Sequence, residues 1–94
     1  MQRTFSGPVF EWRGPAPHHF VEVPPDVADE IASIAKEVSY GWGVIPATVV
    51  LGGTTFTTSL FPREDGYLVP IKVAVRRAEQ VDVGDVVELE LTIR

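Results

Sequence analysis

The sequence predicts a mainly β domain: a small antiparallel β-barrel of about six strands, closed or partly open, with one amphipathic helix and a short helical turn. Short runs of alternating apolar and polar residues recur along the chain, and one stretch has helical periodicity instead. Prolines fall inside several strand-like runs, at Pro8, Pro46 and Pro70. A small curved barrel accommodates such prolines, whereas a flat open sheet would leave long unprotected edges.

Length and composition limit the kind of protein. Ninety-four residues, 45% of them hydrophobic, predict one domain over residues 1–94. Eight Lys and Arg against thirteen Asp and Glu give a net charge of -5, which argues against nucleic-acid binding by broad phosphate neutralisation. Without Cys, the chain has no disulfide, thiolate nucleophile or cysteine zinc site. No apolar run approaches a membrane span and no signal-peptide pattern opens the chain, so we expect a cytoplasmic protein without membrane association.

Alternation and turn residues predict most of the strands. The last is the clearest, because apolar residues occupy every second position of residues 87–93. Gly52-Gly53 predicts a tight turn between strands over residues 44–51 and 54–61. After a turn at residues 63–66, alternation resumes with Tyr67, Val69, Ile71 and Val73. These three consecutive strands form an antiparallel meander.

The first part of the chain is less regular. Residues 5–12 and 18–23 predict a hairpin with a wide, proline-rich loop. Aromatic residues occupy both phases of the first strand, and Gly7-Pro8 interrupts it. We expect a bulge there, which would explain both observations.

One helix is predicted over residues 25–38 and a shorter helical turn over residues 74–80. Pro25 suits the first helical turn, acidic residues follow it near the positive end of the helix dipole, and apolar residues recur at helical spacing. The helix ends before Gly41-Trp42-Gly43, because glycines on both sides of the indole disfavour a continued helix.

Several segments spread over the chain together match the residue pattern of a known family. In the second half they are Phe56-Thr57-Thr58-Ser59-Leu60-Phe61-Pro62, Asp65-Gly66, Leu68-Val69-Pro70-Ile71-Lys72, Val75-Arg76-Arg77-Ala78 and Gly84-Asp85. In the first half they are Phe5-Ser6-Gly7, Glu11-Trp12-Arg13-Gly14, Phe20-Val21-Glu22-Val23-Pro24 and Gly41-Trp42-Gly43. These segments resemble a bacterial family, the domain of unknown function DUF1905. The resemblance covers nearly the whole chain and implies a small closed β-barrel with a helical insertion. It implies no reaction and no catalytic residues, and His18 departs from it where the family often has an aromatic residue.

The first candidate site is a basic cluster in an acidic chain. Lys72, Arg76 and Arg77 place three of the eight basic residues within six positions. If the helical turn begins near Ile71, Lys72 and Arg76 share a face and can clamp a carboxylate or phosphate near its N-terminus. Arg76 suits a planar anion best, because its guanidinium is fork-shaped. The alternative is a set of solvated ion pairs with neighbouring acidic residues.

Hydroxyl and aromatic residues supply further candidates. Thr55, Thr57 and Ser59 form a row on one strand face, which either contributes hydrogen bonds to a groove or is an ordinary exposed sheet face. The aromatic residues Trp12, Trp42, Phe5, Phe10, Phe20, Phe56 and Tyr67 suggest a stacking platform, but a chain this small needs most of them for its core. Trp42 is the one we expect at a surface rim.

His18 and His19 are the only imidazoles. Adjacent strand residues point to opposite faces, so the two side chains are poorly placed to chelate one ion, and we expect no metal and no cofactor. Histidine titrates near neutral pH, so an enzyme with a histidine general base and an acidic partner stays an alternative.

The sequence therefore favours a non-catalytic binding module. Its ligand is a small anion, a peptide or a protein partner, bound through Arg76, Lys72 and neighbouring hydroxyls or Trp42. Binding of single-stranded nucleic acid is the weaker alternative, because stacking bases on a barrel usually also needs a basic groove. Nothing in the sequence requires a dimer.

Overall fold

Six antiparallel strands close into a barrel in the computed structural model. The structure describes residues 1–13, 18–38 and 45–93, and for residues 36–38 it describes the backbone alone. The elements in chain order are β1 (Gln2–Trp12), β2 (His18–Glu22), α1 (Pro25–Val38), β3 (Ile45–Leu51), β4 (Thr54–Arg63), β5 (Gly66–Pro70), α2 (Val73–Glu79) and β6 (Val86–Thr92). Around the barrel the strand order is β1-β2-β5-β4-β3-β6, with β6 paired back to β1. The predicted fold class is confirmed.

Two long strands close the barrel by changing partners along their length. Residues 2–8 of β1 pair with β6, and residues 9–12 pair with β2. Residues 54–60 of β4 pair with β3, and residues 61–63 pair with β5. Pro8 and Pro62 lie at these two changes of partner, where a residue without an N–H costs the ladder least.

The bulge predicted at Gly7-Pro8 is wrong. The register of β1 is uninterrupted on both sides of this dipeptide, first against β6 and then against β2. The irregularity marks the change of partner instead. Val9 lies at that point, where its N–H donates to the carbonyl of Asp85 (2.9 Å) and its own carbonyl accepts from the N–H of Gly84 (2.8 Å).

The barrel interior is the hydrophobic core. Alternate residues of every strand face it, as the alternation of β3 and β6 predicts. The most deeply buried side chains are Ile31, Ile45, Leu60, Leu89, Leu91, Ile93, Val9, Val21, Val23, Val49 and Val69. Full burial of each such side chain contributes about 1.5–3 kcal/mol to stability. Among the described residues no polar or charged residue is buried in this core.

Helix α1 packs against β3 and β5. It has the predicted bounds, and Val27, Ala28 and Ile31 form its buried face. Arg3 on β1 joins Glu30 on the helix by an ion pair of 2.6 Å. Both side chains are partly exposed, so this pair contributes little to stability. Within the described ranges, neither helix is long and apolar enough to cross a membrane.

Helix α2 begins one residue before the prediction and shortens the preceding strand. The predicted alternation extended to Val73, but β5 ends at Pro70 and Val73 opens the helix with 49% of its surface exposed. Val75 is the buried residue of this helix. Gln80 ends it in the left-handed conformation (φ 54°), and its N–H donates to the carbonyls of Arg76 and Arg77.

Glu79 ties the end of α2 to the β3–β4 turn. Its carboxylate accepts hydrogen bonds from the N–H of Gly53 (3.3 Å) and the hydroxyl of Thr54 (2.5 Å). Gly52 has a φ of 58°, and a Cβ there would collide with this carboxylate. The left-handed backbone favours glycine at position 52, and a side chain there would also displace the Glu79 carboxylate from the turn.

We expect Glu79→Ala to lower the free energy of unfolding by about 1 kcal/mol, because two hydrogen bonds to a partly exposed carboxylate are lost. Urea denaturation followed by circular dichroism measures the change. Arg77→Ala is the matched control on the same helix, since Arg77 is exposed, and its effect should stay within about 0.5 kcal/mol. Equal losses in the two variants would show that Glu79 does not tie the helix to the turn.

Candidate ligand-binding site

The predicted basic cluster lies on and beside α2. Lys72 is the residue before the helix, and its Nζ donates to the carbonyl of Thr57 on β4 (2.6 Å). Nε of Arg76 donates to the carbonyl of Ile71 (3.3 Å). Arg76 and Arg77 also line a shallow depression of about 270 Å³. They occupy the last turn of α2, where positive charge stabilises the carbonyl end of a helix.

The alternative interpretation of this cluster was a set of ion pairs. In the described part of the chain, the ion pairs join Arg3 to Glu30 and His19 to Glu11, and none involves the three basic residues of the cluster. Lys72 and Arg76 donate to backbone carbonyl oxygens, which carry no formal charge, so these contacts do not neutralise the two positive charges. The structure is therefore compatible with an anion at Arg76, although α2, at seven residues, is too short to add an N-terminal anion site.

The hydroxyl row lies on the outer face of the barrel, as the alternation predicts. Thr57 is exposed opposite Thr48, and Ser59 is half-buried opposite Pro46. Lys72 reaches the backbone of Thr57, so the structure brings these two candidates together. Trp42 lies outside the described residues.

The two histidines point to opposite faces of β2, as expected. His19 shares a face with Val21 and is paired with Glu11, and its Nε2 lies 3.9 Å from the Glu11 carboxylate. Its Nδ1 is buried without a hydrogen-bond partner among the described residues. His18 is exposed, with its ring centroid 6.2 Å from that of Phe20. No group of three potential metal ligands occurs within the ranges that the structure describes.

A groove of about 250 Å³ on the outer face is the most distinctive concave surface. We call it the aromatic groove; its lining residues are Trp12, His18, Phe20, Phe61, Pro62, Arg63 and Leu68. It crosses four neighbouring strands, β1, β2, β5 and β4. Trp12 and Phe61 each expose 47% of their surface, which is unusual for rings of this size.

Phe20 forms the floor of the aromatic groove. Its centroid lies 5.8 Å from that of Phe61, edge to face, and 6.1 Å from that of Phe10. Although Phe20 faces outward in the register, only 6% of its surface is exposed, because the surrounding rings cover it. Such contacts between rings stabilise the cluster beyond the area that they bury.

Arg63 spans the groove at one end. It belongs to β4, yet its guanidinium lies 5.1 Å from the Trp12 ring centroid and 6.0 Å from that of Phe10, both on β1. β4 and β1 are separated by β5 and β2 in the strand order, so the two long side chains of Arg63 and Trp12 extend toward each other to make this contact. A cation over exposed rings contributes about 0.5–1 kcal/mol and fixes the position of Trp12.

A second groove, of about 290 Å³, adjoins the first and shares Arg63 and Leu68 with it. We call it the acidic groove, because Glu22, Glu64 and Asp65 line it together with Tyr67 and the start of α1. Glu22 follows Phe20 on the outer face of β2 and is paired with Leu68. The acidic groove therefore begins where the aromatic floor ends.

Sequence reasoning missed Phe61 and Arg63 as site residues. Phe61 was assigned only to the end of a strand, and Arg63 to a turn. A signal was present, because Phe56 and Leu60 face the core and Phe61 falls on the opposite phase of the same strand. An aromatic residue on the outward phase predicts an exposed ring. That Arg63 reaches Trp12 could not be predicted, since it depends on the strand order.

The family described as Domain of unknown function (DUF1905) matches residues 5–91. No curated protein matches the chain. The match includes every residue of the aromatic and acidic grooves.

The contact between Arg63 and Trp12 predicts a change in solvent access to the indole. In a Trp42→Phe background, Trp12 is the remaining tryptophan, and Arg63→Ala should increase quenching of its fluorescence by acrylamide, because one face of the ring becomes uncovered. Arg77→Ala is the control and should leave quenching unchanged. Equal quenching constants for all three proteins would contradict a guanidinium held over Trp12.

Proposed function

Because the chain belongs to the DUF1905 family, whose description names no activity, its own surface is the guide to its role, and we propose that it is a non-catalytic binding module. The ligand is an extended peptide segment of a partner protein, and the aromatic groove is its site. The observation that carries the proposal is the pair of half-exposed rings, Trp12 and Phe61, on either side of a concave surface.

Exposed aromatic area favours a ligand that covers it. Burial of apolar surface contributes about 25 cal/mol for each Å², so two large rings offer substantial binding energy. Trp and Arg are enriched among the residues that dominate binding energies, and the groove presents Trp12 and Arg63 in contact with each other. An apolar concave surface with a few polar groups is typical of a ligand site.

The groove is also rigid in the way a binding site requires. Its walls lie on β1 and β4, in segments that pair with β2 and β5, rather than on loops. Phe20 is held among three rings, and Arg63 holds Trp12. A ligand therefore meets side chains that are already ordered, which lowers the entropic cost of binding.

The same rings would suit single-stranded nucleic acid, which stacks bases on aromatic platforms. Such binding also needs a positive path for the phosphates. Arg63 is the cation at the aromatic groove, and three carboxylates line the adjoining one. This charge distribution favours a peptide over a nucleic acid.

We expect the aromatic groove to retain peptides from a phage-displayed random dodecapeptide library. Trp12→Ala and Phe61→Ala should each weaken binding of the selected peptides at least tenfold, because each removes a wall of the groove. Isothermal titration with the synthesised peptides measures the affinities, and circular dichroism confirms that the variants are folded. The control is Val86→Ala, since Val86 is an exposed apolar residue (71%) on another strand.

Two results would contradict this function. Either no peptide is retained above background, or the selected peptides bind the Trp12→Ala and Phe61→Ala proteins as tightly as the wild type.

The anion site predicted at Arg76, Lys72 and Arg77, with the Thr57 and Ser59 hydroxyls beside it, stays a prediction. If a small carboxylate or phosphate binds there, Arg76→Ala should weaken its binding about tenfold, because one charge-assisted, bidentate contact is lost. Titration against a panel of anionic metabolites tests it, with Arg3→Ala as a control on another face. Unchanged binding in Arg76→Ala would remove this site.

A further inference from the structure

We infer that the peptide recognised by the aromatic groove is a proline-containing segment in the polyproline II conformation that also carries a lysine or arginine. Its prolines lie against Trp12 and Phe61, and its basic side chain enters the acidic groove. This inference rests on the proposed function and adds the chemical class of the ligand.

Strand pairing beneath the aromatic groove leaves no room for a peptide to bind as a further strand at its floor. A peptide added as a further strand needs an unpaired sheet edge. Beneath the aromatic groove, β2 is paired with β1 and β5, and β5 is paired with β2 and β4. The floor therefore has no free strand edge, and recognition depends on side chains.

A polyproline II segment matches a groove of this kind. Its proline residues have no N–H that would need a partner, and the conformation is extended before binding, so little entropy is lost. Aromatic-lined grooves bind such segments through the flat faces of the proline rings. In this groove the aromatic faces come from Trp12 and Phe61, and Pro62 extends the same apolar wall.

The donors in the groove fit the same ligand. The carbonyl oxygens of a polyproline II segment point outward and are not bonded within the segment. Trp12 and Arg63 both line the groove and both carry N–H donors, and the Arg63 guanidinium lies 5.1 Å from the Trp12 ring centroid. Each can donate to a carbonyl of the peptide and set its position along the groove.

Charge complementarity adds the basic residue. Glu22, Glu64 and Asp65 face the acidic groove against the single cation Arg63. The whole chain has a net charge of -5, so its long-range field also attracts a basic peptide. Because the acidic groove begins beside Leu68, a basic residue next to the proline segment reaches it without a turn.

The selected dodecapeptides test this inference directly. Those lost in Trp12→Ala should be enriched in proline and in lysine or arginine relative to the starting library. For a synthesised member of this set, alanine in place of its prolines should weaken binding at least tenfold, and norleucine in place of its basic residue about fivefold. The fivefold loss of affinity caused by norleucine should become smaller when the salt concentration is raised from about 0.05 to about 0.5 M, because salt screens surface charge.

A matched pair of double variants tests the acidic groove. The double variant Glu22→Gln with Glu64→Gln should bind the basic peptide about fivefold more weakly. Its affinity for the peptide with norleucine should be unchanged. The control, Glu88→Gln with Glu90→Gln, makes the same charge change on β6, away from both grooves, and should change either affinity less than twofold.

The outcomes separate this inference from the proposed function. Trp12-dependent peptides without proline and without a basic residue would overturn the inference and leave the binding function standing. The absence of any Trp12-dependent peptide would overturn both. Trp12-dependent binding of a labelled twelve-nucleotide oligothymidylate, or Trp12-dependent self-association in sedimentation equilibrium, would overturn both if no peptide competes.

Discussion

Closure of the barrel by two strands that change partners is the constraint on which the rest of the structure depends. Because β1 and β4 each pair with one strand along their first part and with another along their last, these two strands join the two halves of the sheet into one barrel. Their final residues therefore stand at the two sides of the same outer surface. Trp12 ends β1 and Arg63 ends β4, and these two ends meet across the aromatic groove.

Much of the fold could be predicted because its elements are locally encoded. Alternation in β6, the glycine turn after β3 and the proline at the start of α1 each act within a few residues. The errors occurred where a distant partner decides the outcome. Gly7-Pro8 suggested a bulge because a bulge and the replacement of β6 by β2 as the partner of β1 give the same local interruption. Val73 continued an alternation that tertiary structure ends at Pro70.

The same distinction between local and distant contacts separates the candidate sites. The basic cluster and the hydroxyl row are contiguous in sequence, so they were found, and the structure places Lys72 beside Thr57. The aromatic groove is assembled from four strands, with contributors as distant as Trp12 and Arg63. Trp12 and Phe20 belong to the set of aromatic residues that suggests a stacking platform, but the small size of the chain favours assigning that set to the core. Only the strand order shows that they share one surface, and that carboxylates adjoin it.

Arg63 lines both grooves, so this one side chain affects the shape of the aromatic groove and the charge of the acidic groove. Its side chain lines the aromatic groove on one side, and its positive charge adjoins the carboxylates of the acidic groove on the other. A substitution there changes shape and electrostatics in the same step. Under the proposed binding function, one substitution at position 63 would change which ligands are accepted and leave the core of the barrel intact, since position 63 is exposed and contributes nothing to the interior packing.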